Sequence, residues 1–309
     1  MNLVNQVLRD HLNSEVVLIN QIAEYIISNG GKRLRPMILI LASKALQHAG
    51  SDHIQLAAVV ELIHTATLLH DDVVDESEMR RGNKTSHEIW GNSASVLVGD
   101  FLYSKSFQMM VAVDRMSVMS ILSDATNRIS EGEVQQLLNV GRLDVTEAEY
   151  YAVINNKTAK LFEAGCHLAA AINDCSEDTT AALISFGKNL GIAFQIADDM
   201  LDYTADTELT GKNLGDDLAE GKLTLPLIHL LQYGSVEQKN LVEQAFENQS
   251  VDHLNNISQA IQQSGALDYT LSKAQNFAAT AKEALSTLPD NIYKQALMFL
   301  CDFAWKRER

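Results

Sequence analysis

The sequence predicts an all-α fold, and three observations carry that prediction. Apolar residues make up 46% of the 309-residue chain while aromatics reach only 6%. Leu, Ala, Ile, Gln and Glu dominate, a mixture that favours helix over strand. Prolines number only 3, too few to punctuate a strand-rich fold. No convincing strand pair, internal repeat or low-complexity linker interrupts the pattern, so a single all-helical domain over 1–309 is expected, built as a bundle around a central cavity.

The elements follow in order. Residues 1–29 read as one or two amphipathic helices closed by Gly30-Gly31. An apolar helix over 36–49 starts at Pro36, a residue tolerated in a first turn because it lacks only an N–H that would be orphaned there. The stretch 54–77 is apolar nearly all round and should lie in the core. Further helices fit 93–112, 115–139, 146–172 and 178–204. After them come 223–233, 235–248, 251–263, 267–287 and 290–307, with the Gly/Lys/Asp-rich stretch 205–222 as the longest loop.

Charge and cysteine usage exclude several function classes. A net charge of −16 argues against nucleic-acid binding and against an anionic membrane surface. Three cysteines, Cys166, Cys175 and Cys301, are too scattered for a disulfide framework or a zinc site and fit a reducing compartment. The N-terminus lacks a signal-peptide apolar region, and no stretch reaches the ~18 apolar residues of a membrane span. A soluble, cytoplasmic protein is expected.

Two aspartate clusters carry the chemistry. Asp71-Asp72-Val73-Val74-Asp75 and Asp198-Asp199-Met200-Leu201-Asp202 share the spacing DDxxD, each on an apolar helical background. Helical geometry projects Asp71 with Asp75, and Asp198 with Asp202, from one face. Three carboxylates within about one and a half turns repel each other and are costly to bury without cations. An all-oxygen donor set with no His or Cys suits a hard ion such as Mg²⁺. One such cluster is readily a solvated helix face; two identical copies make that bland reading poor. The basic residues agree with this. Lys32, Arg33 and Arg35 sit on a glycine-softened turn at a helix N-terminus, a ready anion site. Arg80 and Arg81 follow Asp75, and Lys157, Lys212 and Lys222 are further candidates. In so acidic a chain, such clusters point to diphosphate.

The sequence resembles the trans-polyprenyl diphosphate synthases, most closely the bacterial octaprenyl diphosphate synthases. The resemblance rests on GGKRLRP (30–36), LIHTATLLHDDVVDESEMRRG (62–82), GNSASVLVGDFLYSKSF (91–107), EGEVQQL (131–137), KTAKLFEA (157–164), AFQIADDMLDY (193–203) and GKNLGDDLAEGKLTLPL (211–227). It implies that Asp71, Asp72, Asp75, Asp198, Asp199 and Asp202 hold two or three Mg²⁺ ions on an allylic diphosphate, assisted by Arg80, Lys157, Lys212 and Lys222. Lys32, Arg35, His64 and Arg81 match the family's isopentenyl diphosphate site. Thr158 and Gln195 match positions that stabilise the allylic cation or its metal shell. His64 is the weakest of these transfers, since a histidine on an apolar helix is more often a core residue. The resemblance also implies a homodimer and a product that serves as a quinone side chain, grown from farnesyl diphosphate.

Product length has its own argument. A tail lying against the helix of Asp71 passes Ala66 and Thr67 about one turn earlier, where small side chains leave a tunnel open. Family members with short products carry bulk there or two extra residues within the motif, and DDVVD has neither. A long product, octaprenyl, is expected, with Met110 or Met109 as its floor. A shorter-chain geranylgeranyl synthase, a terpene cyclase and a non-catalytic subunit of a heteromeric synthase are the alternatives. A cyclase normally lacks the duplicated DDxxD, and non-catalytic subunits tend to lose these charged residues.

Overall fold

The computed structural model describes residues 1–204, 215–248 and 254–306, and these are almost entirely helical. Two compact units interleave along the chain.

The first unit comprises 1–126, 164–184 and 287–297. It contains α1 (Asn2–Leu12), α2 (Val17–Ser28), α3 (Leu34–Ala45), α4 (Asp52–Val74), α5 (Ser86–Trp90) and α6 (Asn92–Ala112). The all-round apolar character of α4 is explained by its neighbours: α1, α3, α5 and α6 all pack on it, and Leu56 to Val60 are completely buried. Small residues let α6 approach closely. A Cβ on Gly99 would strike the His70 ring, and His70 Nε2 lies 3.1 Å from the Val96 carbonyl. Ser95 Oγ donates to the Leu69 carbonyl at 3.1 Å, just before the first aspartate motif.

Two local elements differ from expectation. A two-residue antiparallel ladder pairs β1 (Met79–Arg80) with β2 (Asn83–Lys84), where no strand pair was expected. Its turn falls at Arg81 and Gly82, both in the left-handed region, and so short a hairpin leaves no alternating apolar pattern to read. The third helix begins at Leu34, two residues before Pro36, with Arg33 left-handed (φ 49°) at its N-cap.

The second unit comprises 127–163, 185–286 and 298–309. Several helices run only partly within it, among them α7 (Met116–Asn139) and α10 (Glu177–Thr204). Between them lie α8 (Glu147–Ile154), a π-helical turn (Asn155–Ala159) and α9 (Lys160–Ile172). A short helix, α11 (Asp216–Ala219), follows within the stretch expected to be loop. The rest are α12 (Leu225–Tyr233), α13 (Val236–Asn248), α14 (Leu254–Gln263), α15 (Ala266–Ala284) and α16 (Ile292–Trp305). A core of Tyr150, Ile196, Tyr203, Leu225, Leu230, Val242 and Ile257 holds this unit together. Thr146 and Glu149 form a capping box that starts α8, each side chain satisfying the other's backbone N–H. The expected single helix over 146–172 is thus two helices joined by the π turn.

Candidate active site

In the first unit, α4 ends at its aspartates. Asp75 is the C-cap, its N–H donating to the Asp71 carbonyl at 2.8 Å. Asp71 and Asp75 are half-buried, whereas Asp72 is buried and pairs with Arg80, Nε to Oδ1 2.5 Å. Burial pushes the Asp72 carboxyl above its ordinary range, and the guanidinium of Arg80 opposes that shift.

Basic residues gather on the same unit. Arg35 Nη1 lies 3.1 Å from His64 Nε2. A guanidinium has no acceptor, so this ring nitrogen must accept and the other, Nδ1, carries the hydrogen. Burial and the charges of Arg35, Arg81, Arg80 and Arg33 hold His64 well below the usual histidine range, consistent with a neutral ring. The Arg81 guanidinium donates to the Gly30 carbonyl and passes so close to Gly31 that any Cβ there would collide with it. Gly30 and Gly31 also both carry positive φ, 71° and 148°, a backbone conformation that favours glycine. Lys32 and Arg81 are exposed and Arg35 is half-buried. Behind them, Glu61 pairs with Arg33, a carboxylate the sequence reading did not single out.

In the second unit, the π turn presents Lys157 and Thr158. Such turns are rare and concentrate at functional sites. Glycines make room for this one: a Cβ on Gly132 of α7 would lie 2.7 Å from the Lys157 nitrogen, and one on Gly191 of α10 would lie 2.6 Å from Ala159 Cα. Lys157 Nζ is held by Glu133 at 2.5 Å and by Gln136 at 2.7 Å. Both belong to the EGEVQQL block, which thereby gains a structural account.

The second aspartate motif is tied down from two sides. Asp199 is 4% exposed and accepts from Tyr150 Oη and Gln195 Nε2, each at 2.6 Å. Burial raises its carboxyl to about 7, with Asp198 and Asp202 adding to the rise. Asp202 accepts from the backbone N–H groups of Asp216 and Asp217 at 3.2 Å each, anchoring α11. Lys222, just beyond that helix, pairs with Glu220 at 2.5 Å. Lys212 lies outside the described residues.

The donor chemistry fits a hard divalent ion. Both motifs offer only carboxylate oxygens, and buried negative charge at Asp199 is what a cation relieves. Among the described residues no group of three or more His, Cys, Asp or Glu side chains encloses a metal position by itself.

Of the residues expected to set product length, Ala66 is 1% exposed and Met110 fully buried. Thr67 is half-buried, its hydroxyl donating to the His64 carbonyl at 2.8 Å. It shares the Asp71 side of α4, four residues away, whereas Ala66 is turned well off it.

An almost entirely helical frame with duplicated carboxylate motifs and separate basic clusters has the donor chemistry for divalent cations and for phosphate groups, the pattern of a prenyltransferase. Residues 16–263 match the family model described as Polyprenyl synthetase. The chain is 48% identical to octaprenyl diphosphate synthase of Escherichia coli (strain K12), over 99% of this chain and 95% of that protein. It is 41% identical to an all-trans-nonaprenyl-diphosphate synthase (geranyl-diphosphate specific) of Rhodobacter capsulatus, over 98% and 94%. A polyprenyl synthase from Caulobacter crescentus CB15, solved with calcium and isoprenyl diphosphate, superimposes with a TM-score of 0.95 at 42% identity, covering 99% of this chain and 94% of that one. The chain belongs to the polyprenyl synthetase family and is a prenyltransferase, a trans-polyprenyl diphosphate synthase. The family uses divalent metal ions. No helix among the described residues is long and apolar enough to cross a membrane.

Proposed function

We propose that the chain adds isopentenyl diphosphate repeatedly to an allylic diphosphate, with farnesyl diphosphate as primer and octaprenyl diphosphate, a quinone side-chain precursor, as product. The observation that carries the long-product reading is the 48% identity to an octaprenyl diphosphate synthase. The uninterrupted DDVVD and the small residues Ala66 and Thr67 support it.

In this reading the whole chain works as one cytoplasmic domain. Asp71, Asp72, Asp75, Asp198, Asp199 and Asp202 hold two or three Mg²⁺ ions, supported by the all-oxygen donor set. When bound, Mg²⁺ neutralises charge on the diphosphate leaving group. Arg80, Lys157, Lys212 and Lys222 bind the same group. The hydroxyl of Thr158 and the amide of Gln195, joined at 2.8 Å, lie against the allylic carbons. Lys32, Arg35 and Arg81 bind isopentenyl diphosphate, and neutral His64 offers its Nδ1 hydrogen. The isopentenyl double bond attacks the allylic carbon as its bond to oxygen breaks. Loss of a proton then restores an allylic diphosphate one unit longer. Ala66, Thr67 and Met110 bound the tail.

A homodimer is part of the proposal, supported by the outward side of α6, where Leu97 is 65% and Val111 63% exposed; sedimentation as a monomer at micromolar concentration counts against it. The assay for the activity is purified protein with Mg²⁺, labelled isopentenyl diphosphate and farnesyl diphosphate, with product length read by chromatography. Eight-unit product is expected. Four-unit product indicates a geranylgeranyl synthase, and no product indicates a non-catalytic subunit.

A further inference from the structure

Polar side chains in the second unit form one connected line beneath the second aspartate motif. Thr158 Oγ1 donates to Gln195 Oε1 at 2.8 Å. Gln195 Nε2 donates to Asp199 Oδ1 at 2.6 Å, and Tyr150 Oη donates to Asp199 Oδ2 at 2.6 Å. The direction of the line follows from the groups in it. A primary amide both donates and accepts, while an ionised carboxylate only accepts. With Asp199 at its end, Gln195 must turn its NH₂ toward Asp199 and its carbonyl oxygen toward Thr158. Reversing the amide would set its carbonyl against a carboxylate oxygen, two acceptors in contact with no hydrogen between them.

Tyr150 secures that end. It is 5% exposed, on α8 one turn before the π segment that presents Thr158. Its phenol is the second donor to a carboxylate that is 4% exposed, so little solvent is at hand to replace it. A buried acceptor stripped of its donor bears the full desolvation cost and reorients to recover a partner. Asp199 can recover one only by moving, and Gln195 is its other partner.

We propose that Tyr150 is a positioning residue for catalysis: through Asp199 it locks the Gln195 amide with its carbonyl oxygen beside Thr158. This rests on the assignment of Thr158 and Gln195 to the allylic substrate. The negative end of the amide dipole is then fixed where positive charge develops, and needs no reorganisation as the allylic bond ionises. Tyr150 touches no substrate in this scheme. Its effect belongs to the chemical step rather than to ground-state binding.

The test is a kinetic cycle of Tyr150→Phe, Gln195→Ala and the double variant, with melting temperature as the folding control. Tyr150→Phe is expected to lower kcat about tenfold, leaving KM for isopentenyl diphosphate within about twofold of wild type. Calorimetric binding of an unreactive thiolo analogue of farnesyl diphosphate with Mg²⁺ should change by less than about threefold. In the Gln195→Ala background, Tyr150→Phe should cost less than about a further twofold, because the amide it orients is gone. A wild-type kcat in folded Tyr150→Phe overturns the proposal, as does a full additional loss in the double variant or loss of analogue binding. If Tyr150→Phe does not fold, Tyr150→His is put through the same cycle: its smaller ring cannot carry a donor to the phenol oxygen's place beside Asp199, and a wild-type kcat in the folded variant also overturns the proposal. An inactive wild-type enzyme would instead sink the functional assignment on which this rests.

Discussion

Arg33 and Glu61 form a largely buried ion pair, Nη1 to Oε1 2.5 Å, set behind the basic residues of the first unit. Burial raises the Glu61 carboxyl, while Arg33, Arg35 and Arg81 oppose that shift. Arg33 is thereby committed to the left-handed turn at the start of α3, where it also donates to the Ile27 carbonyl at 3.3 Å. Removing one partner of such a pair strands the other charge. Glu61→Ala should destabilise the fold by about 3 kcal/mol. Arg33→Ala/Glu61→Ala should be less destabilised than the sum of the singles. Strict additivity in denaturant melts would show that the pair is not coupled.

Asp199 makes stability depend on pH in a direction the structure fixes. Its folded carboxyl is raised from 3.8 to about 7, chiefly by burial. A group raised on folding contributes stability that is complete below its unfolded value and lost as pH rises through its folded value. In the metal-free protein, the stability advantage of wild type over Asp199→Asn should therefore shrink between about pH 4 and pH 7. His64, whose pKa is lowered on folding, acts oppositely but is common to both proteins and cancels in the difference. An advantage that is constant or grows over that range refutes the assignment. Saturating Mg²⁺ with a diphosphate should restore stability above pH 7, since the ion favours the ionised carboxylate.

Both aspartate motifs should be indispensable. Asp71→Ala and Asp198→Ala should each lower turnover by about three or more orders of magnitude, as stabilisation of a leaving diphosphate is worth about 1.4 kcal/mol per factor of ten. Chelation by EDTA should have the same effect on wild type and be reversed by added Mg²⁺. Near-normal turnover in any of these three experiments removes the metal site as described.

How much of this was legible beforehand depended on whether the cause was local. Helices with apolar stripes announced themselves, and both DDxxD motifs could be found because their carboxylates sit within one and a half turns of each other. The hairpin at 79–84 was missed because two residues per strand carry no period. The π turn was missed because its cause is remote: Gly132 and Gly191 stand far from it in sequence and reveal themselves only by what a Cβ would strike. Tyr150, Glu61, Glu133 and Gln136 were missed as site residues for the same reason. Each acts on a partner 21 to 49 positions away. Glu61 alone left a signal, a carboxylate in an otherwise apolar run.

Product length should answer to side-chain volume one turn above the first motif. Thr67 is the sharper probe, because it shares the Asp71 side of α4 and is half-buried, whereas Ala66 is fully enclosed. Thr67→Phe places a ring about 6 Å along the helix from Asp71, at 1.5 Å per residue, and leaves the charged groups untouched. Ionisation and the first condensation should proceed, and release should come early, at about three or four isoprene units. Ala66→Phe should shorten the product too, but filling so tight a site costs about 1–3 kcal/mol in overpacking, so its melting curve must come first. Met110→Ala on α6 should act oppositely and lengthen the product, at a cavity cost of about 2–5 kcal/mol. Folded, active Thr67→Phe and Ala66→Phe enzymes that still release the wild-type length would place the tail elsewhere. The long-product reading would then stand on sequence similarity alone.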